Sequence, residues 1–523
     1  MRMMGLETEY GIAIEGCPVE DLLDSAMGLV RAYPGPHVAL WDYGPESPRR
    51  DLRGFTAPVL AQDPADARYD RPDRPRTPAE VERSDRVLTN GARFYNDHGH
   101  PEYATPECRT VDDLVAHDRA GEGVVLTAAN AYMTATGRSV HVYRNNTDFH
   151  GATYGCHESY LTRRCVPVAA LVEGLTPYLV TRQIFCGAGK AGIEEGGAAR
   201  PGYQMSQRAD FVAVPLSVDT LYNRPLFNTR DEPHAAAAEL VRLHVILGDA
   251  NMSEWATAIK AGATSLALEL VEQGWSPPVA PADLVVAVKA VSREIDLGPV
   301  GALSAAGQWS AVDVQRSYLD AAAKAFGGRD AGTDRVLCEW ADVLDDLQSD
   351  LESAFDRVDW VAKRALMCQF ADEEGLDLAD PAMQSLDLAY HDLHPEHGLQ
   401  VGLRQAGLVR RWVTEEAVTR ALAAPPMDTR AAIRGHFVSR YADALVSVCW
   451  SGLGVRYRGH VERIDLGRLA QADLTRWSER LAQAADLDET MTIMSQLEGD
   501  ADGRSRARRA AMQGESHAHP ARR

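Results

Sequence analysis

Residues that could do chemistry are concentrated in segment 93–102, which reads RFYNDHGHPE. If the segment begins as a β-strand, alternation places Arg93, Tyr95 and Asp97 on one face. Phe94 then lies on the opposite face. A cation, a phenol and a carboxylate on one side of a strand predict the wall of a polar site. A solvent-facing strand that ends in a turn is the alternative interpretation of this segment taken by itself.

A pair of glutamates near the N-terminus would add negative charge to a similar surface. Residues 3–12 also read as a strand, in which Glu7 and Glu9 share one face. Two like charges about 7 Å apart repel each other unless solvent, as at an edge strand, or a cation lies between them. Mg²⁺ prefers oxygen ligands and is commonly held by carboxylates together with nucleotide phosphates. With Glu102 as a further carboxylate, Glu7, Glu9 and Glu102 are candidate metal ligands.

Basic and histidine side chains occur in short segments that are too polar for a core. These segments are 144–148, 154–158, 204–208 and 228–234. Arg208 and Arg230 could clamp phosphate oxygens, because a guanidinium group donates paired hydrogen bonds. His157 and His234 could lie near phosphate or metal. Taken singly, each arginine fits a surface ion pair and each histidine a structural role, but together with the carboxylates they predict ATP and Mg²⁺ chemistry on an antiparallel sheet.

The elements that must position these residues are β-rich first and helical later. Apolar runs predict strands at Val140–Tyr143, 179–185 and 211–216. Apolar residues spaced three to four apart predict helices at 235–247 and 255–272. Further helical patterns cover 312–357, 359–373 and 413–422. Strands followed by helices predict an α+β fold rather than a repeating βαβ chain.

Three glycines form a pattern that needs to be distinguished from a nucleotide-binding motif. Gly187, Gly189 and Gly192 match the G-x-G-x-x-G pattern of dinucleotide-binding folds. Such a fold requires an amphipathic helix directly after the glycines, but residues 193–202 read IEEGGAARPG. The Rossmann interpretation is therefore disfavoured. The sequence also contains no Walker A, His-Glu-x-x-His or Gly-x-Ser-x-Gly motif.

Proline-rich segments and a basic terminus predict the domain organisation. Residues 56–86 are rich in proline, aspartate and arginine, which predicts a flexible insertion loop inside a domain. The run AAPP at 423–426 predicts a boundary between a catalytic domain of residues 1–424 and a small C-terminal domain of residues 425–498. The arginines of residues 499–523 predict a disordered basic tail.

Composition limits the possible classes of protein. The 523 residues include 54 Lys and Arg against 75 Asp and Glu, which gives a formal net charge of −21. A nucleic-acid binder would carry a basic footprint, so nucleic acid is not an expected partner. Eight scattered cysteines form no Cys-x-x-Cys pair and fit a reducing compartment. A signal peptide is not recognisable and no apolar run approaches the ~18 residues of a membrane helix, which predicts a cytoplasmic protein without a membrane partner.

Several motifs together resemble the Pup ligase/depupylase family. They are 5–11 (GLETEYG), 90–95 (NGARFY), 100–103 (HPEY), 155–158 (GCHE), 206–208 (SQR) and 228–234 (NTRDEPH). Matches at 242–246 and 386–390 extend the resemblance over most of residues 1–450. The resemblance implies a glutamine-synthetase-like large domain, of the carboxylate–amine ligase type, with a small C-terminal domain. It also implies ATP and Mg²⁺ as cofactors, and Pup and pupylated proteins as partners.

The resemblance further implies roles for individual residues. The positions that match the family's magnesium site are Glu7, Tyr95 and Glu102, with Glu9 close by. The positions that match its nucleotide-binding residues are Arg93, Thr105 and Trp450. The positions that match arginines near the terminal phosphate are Arg208 and Arg230. Asp97 matches the essential catalytic aspartate, which could act as a nucleophile or as a general base.

The two branches of the family run opposite reactions. In PafA-like ligases, ATP phosphorylates the C-terminal glutamate of Pup, and a substrate lysine displaces the phosphate. In Dop-like enzymes the nucleotide is a cofactor, while water or the aspartate attacks the side-chain amide of Pup. That step converts a C-terminal glutamine to glutamate or cleaves the isopeptide bond to lysine.

Segment 41–55 and the insertion after it resemble the Dop branch, whereas residues 155–158, 186–190 and 386–390 resemble the ligase more closely. An insertion is a topological feature and the others are point differences, so the sequence predicts a Dop-like deamidase/depupylase. One alternative is a PafA-like ligase, and another is a divergent paralogue that binds Pup or nucleotide without turnover. An enzyme of the glutamate–cysteine-ligase type, which joins small molecules, is a further alternative.

Overall fold

The structure is a computed structural model that describes residues 2–18, 21–60, 83–149, 151–195, 198–304 and 308–500. Most of the predicted insertion 56–86 and of the predicted tail 499–523 therefore lies outside the described residues. The described strands, in chain order, are β1 (Met4–Glu9), β2 (Gly11–Ile14), β3 (His37–Val38), β4 (Arg86–Leu88), β5 (Arg93–Asp97), β6 (His100–Ala104), β7 (Val140–Tyr143), β8 (Cys156–Arg163), β9 (Lys190–Glu195), β10 (Ala198–Gln204), β11 (Val214–Ser217), β12 (Pro225–Asn228), β13 (Leu240–Val245), β14 (Leu445–Cys449), β15 (Gly452–Tyr457) and β16 (His460–Asp465). The described helices are α1 (Leu22–Arg31), α2 (Val111–Thr136), α3 (Val168–Thr181), α4 (Gln183–Cys186), α5 (Glu254–Glu272), α6 (Leu284–Arg293), α7 (Ala311–Phe326), α8 (Ala331–Ser349), α9 (Asp359–Glu374), α10 (Ala382–Tyr390), α11 (Leu399–Gln405), α12 (Glu415–Ala423), α13 (Arg430–Arg440), α14 (Thr475–Gln483) and α15 (487–500).

A seven-stranded antiparallel sheet organises the first half of the chain, in the order β13-β8-β1-β6-β5-β4-β3. β1 pairs with β8 on one side and with β6 on the other. The glutamates of β1 therefore lie in the middle of the sheet. This position excludes the solvent-exposed edge strand that was the alternative interpretation of residues 3–12.

Helices cover one face of the sheet and form the main hydrophobic core with it. Leu6 of β1 and Tyr160 of β8 pack there against residues of α2, α3 and α5. The long helix α2 begins where Thr110 Oγ1 accepts a hydrogen bond from Asp113 N, which satisfies an amide that the helix itself cannot pair. It ends at Gly137, whose φ of 71° favours a residue without a side chain.

Alternation along β1 and β5 separates apolar from polar side chains, as the sequence predicted. Leu6 and Phe94 are buried in hydrophobic clusters on the helical side. Polar side chains of the same two strands line a cavity on the opposite face, namely Glu7, Glu9, Arg93, Tyr95 and Asp97. The two faces of the sheet are thus chemically distinct, with the core on one side and the candidate site on the other.

The C-terminal part of the chain has its own hydrophobic cluster, built around the three-stranded sheet β14-β15-β16. Phe437 of α13 and Trp477 of α14 pack into it. The cluster also includes Val38, Trp41 and Val87 from the N-terminal part of the chain. The C-terminal core is therefore completed by residues distant in sequence. The domain limits at 424 and 498 stay predictions.

Glu107 links the central sheet to the C-terminal part of the chain. Its carboxylate accepts hydrogen bonds from Arg430 Nε and Arg434 Nη2, each over 2.6 Å. Arg434 also donates to the carbonyl oxygen of Gly91 over 2.7 and 2.9 Å. Burial opposes ionisation of Glu107, but the charges of Arg434 and Arg430 outweigh it and lower the pKa of Glu107 to about 2.

Two predicted elements are wrong. Residues 179–185, predicted as a strand, belong to the end of α3 and to α4, because a fully buried apolar helix carries no polar face that would reveal its period. Residues 235–247, predicted as a helix, contain strand β13, in which Arg242 and His244 alternate with apolar residues. The strand predicted at 211–216 begins only at Val214.

Other predictions from the pattern are confirmed. Strand β7 and helix α5 lie where they were expected, and helices occupy 312–357, 359–373 and 413–422 except for short connections. The glycine pattern at 187–192 leads directly into the hairpin β9–β10, so an amphipathic helix does not follow it. Within the described ranges, no helix is both long and apolar enough to cross a membrane.

Candidate active site

A cavity of about 1690 Å³ lies on the polar face of the seven-stranded sheet. Its floor is formed by alternate side chains of β13, β8, β1, β6 and β5. Its walls include residues 147–149, 151–155 and 220–224. The volume exceeds the roughly 300–1,000 Å³ that is typical of a single small-molecule site. The cavity therefore has room for more than one ligand.

Strand register brings three carboxylates of the floor together. Glu9 lies opposite Glu102 in the β1–β6 pair, and Tyr95 lies opposite Glu102 in the β5–β6 pair. Tyr95 Oη donates a hydrogen bond to Glu102 Oε1 over 2.5 Å. Carboxylate oxygens of Glu9, Asp97 and Glu102 all lie within 4.8 Å of one another. We call these three residues the oxygen cluster.

The electrostatics of the oxygen cluster fit a bound cation. Burial, followed by the charges of Glu9 and Glu7, raises the pKa of Glu102 well above its usual range. Burial also raises the pKa of Glu9, although His157 and Arg208 act in the opposite direction. Positive charge among the described residues thus does not compensate these carboxylates. A divalent cation would compensate them, and oxygen ligands suit Mg²⁺.

Glu7 belongs to a second group, which we call the histidine cluster. It contains Glu7, His157 and His244, each of which offers a ligand atom within 4.8 Å of the others. Burial opposes ionisation of Glu7, but the neighbouring imidazoles and the charge of Arg242 outweigh it and hold the pKa of Glu7 well below its usual range. Burial and Arg242 lower the pKa of His244 to about 3, so this imidazole is neutral at neutral pH. Gly155 leaves room for His157, because a Cβ at this position would overlap the ring.

Asp97 is the last residue of β5 and lines the cavity. Its carboxylate forms an ion pair with Arg83 and lies 3.9 Å from His98 Nε2. About a fifth of the side chain is exposed, 19%, so the carboxylate can reach a substrate. His98 has a φ of 47°, a conformation that side chains other than glycine rarely adopt. This turn directs the chain back into β6 and so fixes Asp97 beside Glu102.

Arg93 is held between two aromatic rings at one end of the cavity. Its guanidinium carbon lies 4.0 Å from the centre of the Trp41 ring and 3.9 Å from that of Tyr95. Arg93 Nε donates to Asp85 Oδ1 over 2.7 Å. Burial opposes the charge of Arg93, but Asp85 outweighs it, followed by Tyr95, and raises the pKa of the guanidinium. The cation is therefore fixed in position and permanently charged.

Thr105 and Trp450 line a smaller adjoining pocket of about 80 Å³, and Thr105 does not line the main cavity. The pocket is mainly apolar and includes Leu6 and Met3. Thr105 Oγ1 accepts a hydrogen bond from Leu6 N over 3.0 Å. Trp450 lines both the pocket and the cavity, and its ring lies 5.1 Å from that of Trp41. The pocket thus opens beside the polar floor and suits a flat apolar group.

Arg208 and Arg230 both line the cavity but differ in how they are held. Arg208 donates hydrogen bonds to Thr153 Oγ1, Tyr154 O and Ile246 O over 2.8–2.9 Å. These bonds make Arg208 a support of the cavity wall. Arg230 donates to Thr220 Oγ1 over 3.1 Å, and within the described chain its Nε has no hydrogen-bond partner. Arg230 is therefore better suited to contact an anion.

His234 lines the cavity but joins neither cluster of candidate metal ligands among the described residues. Burial, followed by the charges of Arg242 and Arg430, lowers the pKa of His234 well below its usual range. Its backbone adopts a φ of 47°. Burial and the two arginines thus favour the neutral form of the His234 ring.

Sequence reasoning missed four residues of the site. Asp85 fixes Arg93, and Glu232 lies 3.8 Å from both Arg230 and Arg242. Arg242 Nη1 donates to Glu7 Oε1 over 3.2 Å, and His244 completes the histidine cluster. A test for alternation over residues 240–245 would have found Arg242 and His244. Glu232 lies inside the polar motif 228–234, whereas Asp85 carries no local signal.

Segment 41–57 forms part of the cavity wall. Trp41 stacks on Arg93, and Tyr43 Oη accepts a hydrogen bond from Arg93 Nη2 over 3.2 Å. Further along, Leu52 N donates to Thr229 O over 2.7 Å. Thr229 Oγ1 donates in turn to Asp51 Oδ2. The segment is therefore attached at two points. Trp41 and Tyr43 contact Arg93, and Asp51 and Leu52 bond Thr229, the neighbour of Arg230 in the chain.

Comparison with characterised proteins identifies the family. A sequence model described as Pup-ligase protein matches residues 2–454. A depupylase of Acidothermus cellulolyticus is 39% identical over 86% of this chain and 90% of its own length. A Pup deamidase/depupylase of Mycolicibacterium smegmatis is 39% identical, with 86% and 91% covered. A Pup–protein ligase of Corynebacterium jeikeium is 37% identical, with 88% and 94% covered.

Solved structures show the same fold. The ligase PafA in complex with Pup has a TM-score of 0.73 and 29% identity, and the match covers 95% of both chains. PafA in complex with ADP has a TM-score of 0.67 and 31% identity, and the match covers 83% of this chain and 96% of PafA. The mixed helical and antiparallel architecture is thus that of a glutamine-synthetase-like ligase, as the sequence predicted. The chain belongs to the Pup-ligase protein family.

Proposed function

We propose that this protein is a deamidase/depupylase of Pup. It hydrolyses the side-chain amide of a C-terminal glutamine of Pup and the isopeptide bond between Pup and a lysine side chain. The observation that carries the proposal is the position of Asp97, a partly exposed carboxylate in contact range of the buried Glu9 and Glu102. A reactive carboxylate beside a candidate cation site is suited to attack or to activate water at a polarised amide.

The cofactors we propose are Mg²⁺ and ATP. Glu9 and Glu102, with Tyr95 oriented by Glu102, would hold one magnesium ion, which would neutralise the carboxylates and orient phosphate oxygens. Glu7 and His157 would hold a second cation. The sequence predicted His234 near phosphate or metal, and we propose the position near the phosphates, since His234 lines the cavity but belongs to neither cluster of candidate metal ligands among the described residues.

The adjoining pocket supports a site for the nucleotide base. Thr105 and Trp450 line it, and the fixed cation of Arg93 lies on the cavity side of Trp41. From there the phosphates would extend towards Arg230, with Arg208 supporting the wall. The structure of PafA in complex with ADP supports nucleotide binding in this fold.

Asp97 has two chemical options in the proposed reaction. As a nucleophile, its carboxylate would attack the amide carbon, and the amine would leave with a proton, which gives an anhydride that water opens. As a general base, it would remove a proton from water, which attacks the same carbon directly. Either route ends with a free carboxylate on Pup and with ammonia or the lysine amine released.

The depupylase branch is supported by two features. Relatives named as depupylases are 38–39% identical over 86% of this chain. The wall segment 41–57, part of the region that resembles this branch, packs on Arg93 and on Thr229 next to Arg230.

Unpaired cysteines throughout the described chain support a reducing compartment, which we propose to be the cytoplasm.

The test is the intact mass of Pup ending in glutamine after incubation with the protein, Mg²⁺ and ATP. We expect a gain of about one dalton, since an amide becomes a carboxylate, and no gain with Asp97→Asn. An unchanged mass would refute the deamidase.

Pup–protein ligation is the second candidate, since ligases are among the relatives and the two solved structures described above are of PafA. The same reaction with Pup ending in glutamate and a lysine-bearing protein tests it. A conjugate would identify a ligase, and no product in either reaction would favour a paralogue that binds without turnover.

A further inference from the structure

A network of buried polar side chains lies behind the wall of the cavity, outside both clusters of candidate metal ligands. Its members are Gln207, Lys363, Asp387 and His391, all of them buried. Lys363 belongs to α9 and Asp387 to α10, and His391 directly follows α10. None of the four is among the described residues that line the cavity. A role in the reaction would therefore have to pass through other residues.

Two shared acceptors tie the amide of Gln207 to the ammonium group of Lys363. Gln207 Nε2 donates to Gly189 O over 3.1 Å and to His391 Nε2 over 3.0 Å. Lys363 Nζ donates to the same two atoms over 2.7 Å each. Its third hydrogen bond goes to Asp387 Oδ1, also over 2.7 Å. Because Lys363 thus uses all three of its donors, Gln207 is linked to α9 and α10.

The chemistry of these groups fixes which atom donates and which accepts. An ammonium group only donates, so His391 Nε2 is the acceptor and the ring proton lies on Nδ1. Gln207 Oε1 accepts from Asn146 N over 2.7 Å, which leaves the amide nitrogen to donate towards His391. Burial, followed by the charge of Lys363, lowers the pKa of His391 well below its usual range. The ring therefore stays neutral and able to accept at neutral pH.

The opposite side of Gln207 is connected to the cavity wall through Asn146. The carbonyl oxygen of Asn146 accepts a hydrogen bond from Thr153 Oγ1 over 2.6 Å. Its side-chain nitrogen donates to Tyr154 O over 3.0 Å. Thr153 and Tyr154 both line the cavity. The position of this part of the wall thus depends on where Gln207 holds Asn146.

This part of the wall contacts the strands that carry the reactive carboxylates. The ring of Tyr154 stacks on that of His100, with 4.3 Å between their centres. His100 lies opposite Asp97 in the β5–β6 pair. The next wall residue, Gly155, accepts a hydrogen bond at its carbonyl oxygen from Glu9 N over 3.0 Å. Direct contacts therefore connect the buried network with the surroundings of Asp97.

The network also accounts for one glycine of the pattern at 187–192. Gly189 supplies the carbonyl oxygen that Gln207 and Lys363 share. Its φ is 72°, and a Cβ at this position would lie 2.3 Å from Tyr203 Oη. A residue with a side chain would be strained and would clash there. In this chain the glycine thus places an acceptor for the network rather than approaching a nucleotide.

Direction explains the buried ion pair better than stability does. The side chains of Lys363 and Asp387 are only 1% and 0% exposed. Apolar residues of the same volume often stabilise a fold at least as well as such a pair. The ion pair, however, holds Lys363 Nζ at one point, from which it can bond both Gly189 O and His391 Nε2. These directional bonds select one position of Gln207.

We infer that Lys363 and His391 are positioning residues, which act through Gln207 and Asn146 to hold the wall at 146–155 beside Asp97. The inference rests on the proposed hydrolysis for its effect on rate, but not for its effect on the wall. A displacement of about 1 Å near reacting groups can lower a rate by about 100-fold. Among the described residues, the network forms no hydrogen bond with Arg93, Thr105 or Trp450 of the proposed nucleotide site.

His391 offers a matched pair of variants for the full-length protein. His391→Phe keeps a flat ring without an acceptor, whereas His391→Gln can place an amide oxygen near the position of Nε2. His391→Phe should lower kcat for hydrolysis of Pup ending in glutamine roughly 10- to 100-fold and leave nucleotide affinity nearly unchanged. His391→Gln should restore most of the lost rate. Lys324→Met, an exposed change on α7, is the control and should alter neither quantity.

Hydrogen exchange of the protein alone, followed by mass spectrometry, measures the position of the wall without Pup. His391→Phe should raise the exchange rate of amides in 146–155 roughly tenfold or more, because their local opening becomes easier. Amides of β1 and α5 should keep their protection. His391→Gln should behave like the unmodified protein.

A second variant covers the case in which His391→Phe fails to fold by circular dichroism. Lys363→Met combined with Asp387→Asn removes both charges together, so no buried charge is left unpaired. The asparagine can still accept the hydrogen bond that Ala191 N gives to Asp387. This double variant should show the same local increase in exchange and the same loss of kcat.

Three results would overturn the inference: unchanged kcat and exchange in the folded variants, an equal loss in His391→Gln, or an increase in exchange spread over the whole molecule. The last result would show that the network only stabilises the fold. No hydrolysis by the unmodified protein, together with the local increase in exchange, would refute only the proposed function. Hydrolysis in every variant without a local increase would refute only the positioning role.

Discussion

Carboxylates in two regions of this protein have opposite electrostatic surroundings. Glu107, at the joint with the C-terminal part, lies between Arg430 and Arg434, and its pKa falls to about 2. Glu102, on the cavity floor, lies beside Glu9 and Glu7, and its pKa is raised well above the usual range. Glu102 is 2% exposed and the side chain of Glu107 is 11% exposed, so both are largely removed from water.

The difference shows which buried charges serve the fold and which serve the site. The chain itself supplies the two arginines that neutralise Glu107, so this carboxylate is complete without a ligand. In the oxygen cluster Asp97 pairs with Arg83, but Glu9 and Glu102 repel each other until a cation from solution arrives. Uncompensated burial is therefore the stronger indicator of function here than burial or charge alone.

The largest expected effect is on the rate of amide hydrolysis and comes from a change of Asp97, the reactive carboxylate of the oxygen cluster. Asp97→Asn should lower the rate of Pup-glutamine hydrolysis by roughly 10³-fold or more, because the amide neither attacks carbon nor accepts a proton at neutral pH. Nucleotide affinity should stay largely intact. Intact mass spectrometry and calorimetric nucleotide titration measure the two quantities. The exposed carboxylate of Asp443 provides the control Asp443→Asn. Loss of nucleotide binding in Asp97→Asn would instead make Asp97 a metal ligand.

Removing the charge of Glu107, the carboxylate that two arginines neutralise, should have the next largest effect, on the free energy of unfolding. Glu107→Gln leaves Arg430 and Arg434 buried without their counter-charge, which is expected to lower the free energy of unfolding by about 3–5 kcal/mol. Urea denaturation at neutral pH measures it. Glu462→Gln, an exposed change on β16, should have no comparable effect. Equal stability of the two variants would show that the joint does not depend on this ion pair.

Removing the charge of Glu102, in the oxygen cluster, should change the stability of the metal-free protein in the opposite direction. Glu102→Gln keeps an acceptor for Tyr95 Oη but removes one of three clustered charges, so the metal-free protein should gain about 1 kcal/mol of stability. The same variant should bind Mg²⁺–nucleotide roughly 10- to 100-fold more weakly. Denaturation without metal and calorimetry with it test both statements. A loss of metal-free stability would mean that the oxygen cluster is already compensated.

The smallest expected effect is the pH dependence of the stability that Glu107 contributes. The folded-state pKa of Glu107 is lowered to about 2 from an ordinary value of 4.5, so its stabilisation is fully present above pH 4.5. It should be lost progressively as the pH falls from 4.5 towards 2, where Glu107 becomes protonated in the folded state as well. The stability difference between the unmodified protein and Glu107→Gln should therefore shrink over this interval. A difference that stays constant down to pH 2 would contradict the assignment.

Local pattern was sufficient to predict most of the floor. Glu7 and Glu9, like Arg93 and Asp97, share a face because alternation within a strand is a local property. Their convergence with Glu102 was predictable only as a hypothesis, since it depends on β1 lying next to β6. Strand order is a long-range outcome that no single segment encodes.

The remaining features depend on contacts between distant segments. The role of Arg208 at a phosphate stays a prediction, while its hydrogen bonds to Tyr154 O and Ile246 O depend on the positions of distant segments. Thr105 directly follows the last residue of β6, and it lines the adjoining pocket rather than the cavity floor. His244 was hidden because residues 235–247 were read with a helical period. In each case the residue type was visible and its neighbours were not.

The shared packing of the C-terminal cluster has a consequence for how the protein is made. Trp41 and Val87 depend on Ile433, Phe437 and their neighbours for burial. Trp41 precedes Ile433 by 392 positions (433 − 41), so at 5–20 residues per second a nascent chain carries these side chains exposed for roughly 20–80 s. Because Trp41 also stacks on Arg93, the wall of the cavity is completed only near the end of translation.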